Sequence, residues 1–289
     1  MKSTDELKQI VTQVRRDIVR MVHGAKSGHP GGSLGCADMV TTLYFSQMRI
    51  NEAKGEDGFL AFSHSGDGED MFFLSNGHIS PLFYSVLARR GYFPIKELST
   101  FRLLNSRLQG HPATHEGLPG IRVASGSLGQ GLSVANGAAL GKKMKGDDFL
   151  VYVLMGDGEQ QEGQIWEAVQ FAPNHQLDNL IAIVDWNLKQ IDGPTDKVNN
   201  NRNIKSKYEA FGWLTVDLAD GNDIDQVKDA LIKAKELRGQ GQPIAIMMHS
   251  EMGFGVDYMM HTHKWHGAAP NDEQLARALE QLPETLGDY

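Results

Sequence analysis

The chain has 289 residues, 40% hydrophobic and 22% charged, the proportions of a globular protein long enough to bury a large core. Its formal charge is -8 and no basic stretch offsets it, so no nucleic-acid partner is expected, although backbone N–H groups or a metal can still bind an anion. The single cysteine, Cys36, excludes an intramolecular disulfide and reads as a small buried apolar residue. The first residues lack an apolar signal core, and no run approaches the roughly 18 apolar residues of a membrane span, so the expectation is a soluble cytoplasmic protein with no membrane partner.

Leu7, Ile10, Val11, Val14, Ile18 and Val22 recur at intervals of three and four and predict an amphipathic helix over 4–25. Gly24 and the segment Ser27-Gly28-His29-Pro30-Gly31-Gly32 end it. A second helix is expected over 36–48, then a polar, Gly-rich surface loop over 52–70. Met71-Phe72-Phe73-Leu74-Ser75 reads as a buried strand closing in the turn Asn76-Gly77-His78. Helices are expected at 80–90 and 95–103, loop over 105–125, and a helix over 128–144 with Ala135, Gly137, Ala138 and Ala139 allowing close packing. The strand Phe149–Met155 runs into Gly156-Asp157-Gly158, a helix over 160–171 follows, and the strand 180–184 ends near Asn187. Strands at 213–218 and 243–248 flank a helix near 222–238, and a helical tail covers 271–282. Alternating helices and near-continuously apolar strands predict an α/β fold, a parallel sheet with helices on both faces, in a single domain spanning 1–289.

Ligands of open parallel sheets bind beyond the carboxyl ends of the strands. Three polar turns follow strands here: Asn76-Gly77-His78, Gly156-Asp157-Gly158 and Asp185-Trp186-Asn187. If the strands are neighbours, the turns line one crevice. The glycines of the second turn let the chain turn sharply and approach a ligand, while Asp157 supplies a carboxylate oxygen. Asn187, one βαβ unit later, supplies an amide oxygen. Oxygen donors of this kind suit a hard cation that keeps places for phosphate oxygens and water. The competing readings are Asp157 as a helix cap and Asn187 as a turn residue; each loses ground because the other stands at the right interval. Gly66-Asp67-Gly68 repeats the tripeptide without a strong strand before it and is read as loop. His261 and His263 carry no further zinc-ligand spacing.

Gly156-Asp157-Gly158, Gln161-Glu162-Gly163 and Asn187 together resemble the thiamine diphosphate motif. Ser27-Gly28-His29-Pro30-Gly31, Leu74-Ser75-Asn76-Gly77-His78, Gly110-His111-Pro112, Gly126-Ser127-Leu128-Gly129-Gln130-Gly131 and His266-Gly267-Ala268 follow the order of their counterparts in the transketolase family, so the resemblance covers nearly the whole chain. It implies the cofactor-binding (PP) module of that family, holding thiamine diphosphate with Mg²⁺, or with Ca²⁺ or Mn²⁺. Asp157, Asn187 and the Lys189 carbonyl are the implied metal ligands. His78, Gly126, Ser127, Leu128, Gly156, Gly158, Glu159, Asn187, Ile191 and His266 are implied around the cofactor, Gly158 through its N–H, Gly126–Leu128 at the aminopyrimidine end and Ile191 beside the thiazolium. His78 and His266 are implied to meet the diphosphate or the reacting centre, His29 and His111 to face the donor sugar, and Glu162 with Glu167 to connect paired sites across a dimer.

Single-chain transketolases are more than twice this length, and their middle domain supplies the activating Glu and the sugar-phosphate contacts. The resemblance therefore implies the N-terminal half of a split transketolase that transfers a two-carbon ketol unit from a ketose to an aldose, its partner being a C-terminal subunit in an α2β2 assembly. The alternatives are the alpha chain of a 2-oxoacid dehydrogenase or decarboxylase, against which the Ser-Gly-His-Pro and Gly-His-Pro turns argue, and a non-catalytic cofactor-binding subunit. The loop 52–70 departs from the family's shorter segment, and Asn199-Asn200-Asn201 offers little to hold the loop 190–206.

Overall fold

The computed structural model describes residues 2–289. In chain order the helices are α1 (Thr4–Ala25), α2 (Pro30–Gly35), α3 (Ala37–Thr42), α4 (Ser80–Arg90), α5 (Gly131–Lys145), α6 (Gly163–Asn174), α7 (Thr195–Val198), α8 (Ile204–Ala210), α9 (Ile224–Glu236) and α10 (Asp272–Gln281). The strands are β1 (Met71–Leu74), β2 (Val151–Gly156), β3 (Leu180–Asp185), β4 (Lys189–Gln190), β5 (Gly193–Pro194), β6 (Leu214–Leu218) and β7 (Ile244–Met248). The main sheet runs β1-β2-β3-β7-β6 with every pairing parallel.

The strands are apolar throughout because both faces are covered. Phe72, Leu74, Tyr152, Leu154, Ile181 and Ile183 enter a core shared with α1, α3, α4 and α9. Phe73, Val151, Val153, Ala182 and Val184, the alternate positions, enter a second core under α5, α6 and α8. The period of two along each strand thus divides the side chains between two cores. Helix α1 begins at Ser3, whose side chain forms a capping box with Glu6, a contribution of about 1 kcal/mol. It ends at Lys26 in the left-handed region.

Several boundaries differ from the sequence expectation. The segment expected to stop α1 restarts a helix at once: Pro30 occupies the first helical position of α2, where its fixed φ and missing N–H carry no cost. The expected 36–48 helix is α3 followed by a wider π-type turn over Leu43–Gln47. The 95–103 helix reduces to a 3₁₀ segment over Ile95–Thr100. Helix α5 starts at Gly131 rather than 128, because Gly129 has φ +85° and its N–H donates to the buried Glu159 carboxylate at 2.8 Å. Helix α6 begins at Gly163 after a 3₁₀ turn over Gly158–Gln161. Beyond β3, the loop expected over 190–206 contains the β4–β5 hairpin, α7 and the first turn of α8.

Candidate active site

The turns after β1, β2 and β3 do lie side by side, because those strands are adjacent, with Gly156 paired to Asp185 in register. They line a cavity of about 310 Å³ beyond the strand ends. His29, from the start of α2, and His266, from the chain after β7, close its other wall. Main-chain bonds fix those two segments to each other: Gly31 N–H donates to the Trp265 carbonyl at 3.0 Å and Gly253 N–H to the Gly31 carbonyl at 2.9 Å. A Cβ on Gly31 would stand 2.8 Å from that Trp265 oxygen. Gly77 is equally constrained, since a Cβ there would meet the Ser125 carbonyl at 2.3 Å. Glycine at these two positions brings three separate loops within reach of one ligand.

Four histidines gather on one side of the cavity. Ring centroids are 5.1 Å apart for His29 and His78, 5.7 Å for His29 and His266, 5.0 Å for His78 and His266, and 6.2 Å for His29 and His111. Burial pushes His29 down to about 4, helped by His266, Arg102 and His111. Burial lowers His78 and His266 as well, and lowers His111 with Arg102 adding to it. These rings are therefore neutral at pH 7 and sit below the ordinary histidine value. Within the cluster, His266 and His111 disfavour protonation of His29, and all three disfavour that of His78.

The opposite wall is acidic and amide. Asp157 accepts from Gly158 N–H at 2.8 Å and Leu188 N–H at 2.6 Å. Burial, with the Asp185 carboxylate close by, pushes it up to about 8. A carboxylate this deep, next to a second one, is held without a protein cation to neutralise it, which suits a site built for a bound one. Asn187 is buried with its amide oxygen accepting from Lys189 N–H at 2.9 Å. Glu159 spends its carboxylate on Ser75 Oγ, Gly129 N–H and Gly156 N–H, joining the turns after β1 and β2 to the loop before α5. Four buried polar atoms around the cavity have no partner within the protein: His29 Nδ1, His266 Nδ1, Asn76 Oδ1 and Ser125 Oγ. Such atoms are expected where a polar ligand completes the bonding.

The sequence-predicted residues converge here almost entirely. His29, His78, His111, His266, Gly126, Leu128, Gly156, Asp157, Gly158, Glu159, Glu162, Asn187, Lys189 and Ile191 all line the cavity. Ser127 does not; it is exposed, and Ser125 takes the place beside Gly77. In this structure the Gly158 N–H, expected to face a diphosphate, is occupied by the Asp157 carboxylate. Glu167 lies apart, in a surface groove between α5 and α6.

A family model described as "Transketolase, thiamine diphosphate binding domain" matches residues 6–284. The chain belongs to the transketolase family. It corresponds to the N-terminal subunit of a split transketolase, carrying the thiamine diphosphate-binding domain. It is 36% identical to an apulose-4-phosphate transketolase subunit of Phocaeicola vulgatus over 94% of this chain and 92% of that one. It is also 36% identical to the 6-deoxy-6-sulfo-D-fructose transketolase subunit SqwG of a Clostridium species, covering 88% of each. Among solved structures, transketolase from Leishmania mexicana superposes with a TM-score of 0.88 at 31% identity over 100% of this chain. The chain spans 42% of that transketolase's length and 41% of the human one's.

Three features of this transketolase site are not legible in the sequence. The loop over 190–206 is well held: Asn201 Nδ2 donates to the Asp157 carbonyl at 2.7 Å, and Gln161 Nε2 reaches Gln190 Oε1 at 2.7 Å and the Asn199 carbonyl at 2.8 Å. Lys189 pairs with Glu251 at 3.1 Å and so ties the strand β4 to the segment that carries His266. Arg102 donates to Ser27 Oγ at 3.1 Å and the Gly110 carbonyl at 3.4 Å, linking the turns of His29 and His111. Each depends on side chains far apart in sequence, with no local pattern to announce them.

Proposed function

We propose that this chain binds thiamine diphosphate through a divalent cation, Mg²⁺ in the first instance, held by Asp157, Asn187 and the Lys189 carbonyl, and that it transfers a two-carbon ketol unit only together with a C-terminal subunit. The single observation that carries this is the pairing of Asp157 with Asn187 on one wall of a cavity whose other wall is a cluster of neutral histidines. Among the described residues no group of three or more His, Cys, Asp and Glu is placed to hold a metal ion. Diphosphate and water oxygens would thus complete the shell, as is usual for Mg²⁺. When bound, thiamine diphosphate supplies the electron sink for cleavage of a carbon–carbon bond next to a carbonyl.

The chain's own part is orientation and proton transfer. His29 and His111, neutral and facing the cavity, are placed to take a proton from a donor hydroxyl and return it to the acceptor. Their low basicity favours brief possession of the proton over its retention. Ile191 gives the cofactor an apolar surface; its side chain is 59% exposed in this chain alone, as expected of a residue covered by a ligand and a second subunit. His78 and His266 pack beside each other on the cavity wall, and His266 Nδ1 has no partner within the protein. No carboxylate here is assigned to activate the aminopyrimidine ring. The partner would supply that Glu and the sugar-phosphate contacts, in an α2β2 assembly in which Glu162 and Glu167 face the paired copy. Two of the relatives are named for apulose 4-phosphate and 6-deoxy-6-sulfo-D-fructose, which supports ketose phosphates and their analogues as the donor class.

The test is turnover with xylulose 5-phosphate by this chain alone, by a candidate partner alone, and by the two mixed. Ketol transfer confined to the mixture is the expected result. Transfer by the isolated chain would remove the need for a partner, and turnover of pyruvate without ketol transfer would favour a 2-oxoacid enzyme.

A further inference from the structure

Asn187 meets the cavity with an amide, and an amide has two nearly isosteric ends. Only the oxygen can bind a cation; a flipped side chain would present NH₂ instead. The orientation is selected by a neighbouring carboxylate. Asn187 Nδ2 donates to Asp185 Oδ2 at 2.7 Å, and the pair is buried. A carboxylate is an acceptor, so it holds the NH₂ end and turns Oδ1 outward, where Lys189 N–H also finds it.

Asp185 is itself fixed from two further directions. Ser250 Oγ, on the chain just after β7, donates to its Oδ1. The thiol of Cys36, at the junction of α2 and α3 and wholly buried, lies against the same carboxylate. Its main chain pairs with β2, the Asp157 N–H donating to the Asp185 carbonyl at 3.0 Å. The three side chains come from elements that also carry site residues: α2 begins at His29, the chain after β7 leads to His266, and β3 leads to Asn187. The Asp185 carboxylate is therefore the point at which three walls of the cavity are bolted together.

We infer that Asp185 is a positioning residue for cation binding: held by Ser250, with Cys36 packed beside it, it fixes the Asn187 amide with its oxygen toward the metal. The inference rests on the metal site proposed above.

The experiment measures binding of thiamine diphosphate to the full chain, alone and in complex with its C-terminal partner, by calorimetry over a range of Mg²⁺ concentrations. Wild type, Asp185→Asn and Ser250→Ala are compared, each with the melting temperature of the cofactor-free protein. Asp185→Asn keeps the shape but can donate toward Asn187, so the amide loses its preferred orientation. The Mg²⁺ concentration for half-maximal binding should rise about tenfold or more, the usual cost of losing a partner that orients a metal ligand. Ser250→Ala, which leaves the carboxylate in place with one support fewer, should raise it about threefold, scaled down from the same range. A purely structural role would lower the melting temperature and leave the Mg²⁺ dependence unchanged. That result in Asp185→Asn, or in Ser250→Ala if the first variant does not fold, overturns the inference. Failure of the wild-type chain and complex to bind the cofactor at any Mg²⁺ concentration would overturn the metal site itself, and the inference with it.

Discussion

The tripeptide Gly-Asp-Gly occurs twice, and the two copies have opposite fates. At 66–68 both glycines adopt positive φ, +59° and +75°, in a loop, and Asp67 reaches into solvent to pair with Lys145 at 2.7 Å. At 156–158 neither glycine is left-handed. Gly156 has nothing within 4 Å of where a Cβ would stand, and at Gly158 a Cβ would sit 3.2 Å from Gln190 Cβ. The first pair is glycine for the sake of the turn. The second leaves space beside a ligand cavity, and the chain turns from β2 into a 3₁₀ turn there without either glycine entering the left-handed region. The charges differ in the same way: Lys145 lowers the exposed Asp67 carboxyl, while burial pushes Asp157 up to about 8. Identical residues become an exposed loop and a buried wall of the ligand cavity through the strand before them and the neighbours beside them.

The sharpest test of that contrast is Asp157→Ala. Removing the buried carboxylate should reduce Mg²⁺-dependent thiamine diphosphate binding by about a hundredfold or more, consistent with ~3 kcal/mol for a charge-assisted ligand in a desolvated site. Calorimetry at saturating Mg²⁺ reads this directly, with circular dichroism to verify the fold. Affinity within a few-fold of wild type would show that the buried copy is no more a metal ligand than the exposed one.

A second test concerns the histidines that face Asp157 across the cavity. A histidine whose native value lies below its unfolded one binds fewer protons when folded, so its contribution to stability is present above about pH 6.5 and is lost as pH falls toward the native value. For His29 the window runs from about 6.5 down to about 4. The melting temperature of wild type should therefore fall faster through this window than that of His29→Asn, which cannot titrate. Ketol transfer by the complex should fall about 10²-fold or more in the same variant, the usual worth of a positioned acid–base group. Parallel melting curves for the two proteins would show that His29 is not desolvated as the structure has it.

The parts of the molecule legible in the sequence are those set by local pattern. Continuous apolar runs mark β1, β2, β3 and β7, and the adjacency of the first three brings Asn76, Asp157 and Asn187 to one edge as the crossover spacing requires. Most of the site follows from the resemblance rather than from pattern: nothing in the spacing of His29, His111 and His266 foretells that their rings cluster. The misses have a common cause. Glu159 is implied around the cofactor and Asp185 stands in the turn before Asn187, yet nothing local foretells that each is a buried carboxylate bonded to partners distant in the chain. Glu159 reaches Gly129 and Ser75, 30 and 84 residues away, and Asp185 reaches Ser250, 65 residues away. The helix starts at Gly131 and Gly163 lie later than local helix propensity suggests because tertiary bonds to Glu159 and the turn after Asp157 outweigh it. Neutral histidines follow from the ordinary histidine value, but their downward shift comes from mutual burial that no single residue records.

The smallest expected effect completes the contrast. Asp67→Ala removes a surface ion pair with Lys145 whose two side chains are each 60% exposed. In water such a pair gains little over its separated, hydrated ions and loses side-chain freedom to form. Gly66 and Gly68 carry the turn and remain in place, so the loop keeps its course. The melting temperature should stay within about 2 °C of wild type, and the Mg²⁺ dependence of cofactor binding should be unchanged. A loss of binding in Asp67→Ala comparable to that in Asp157→Ala would mean that the loop over 52–70 reaches the cofactor site in the assembled enzyme, and that exposure in the single chain misjudges this carboxylate. Unchanged binding in Asp67→Ala beside lost binding in Asp157→Ala would make sequence identity without the strand, the burial and Asn187 insufficient for function.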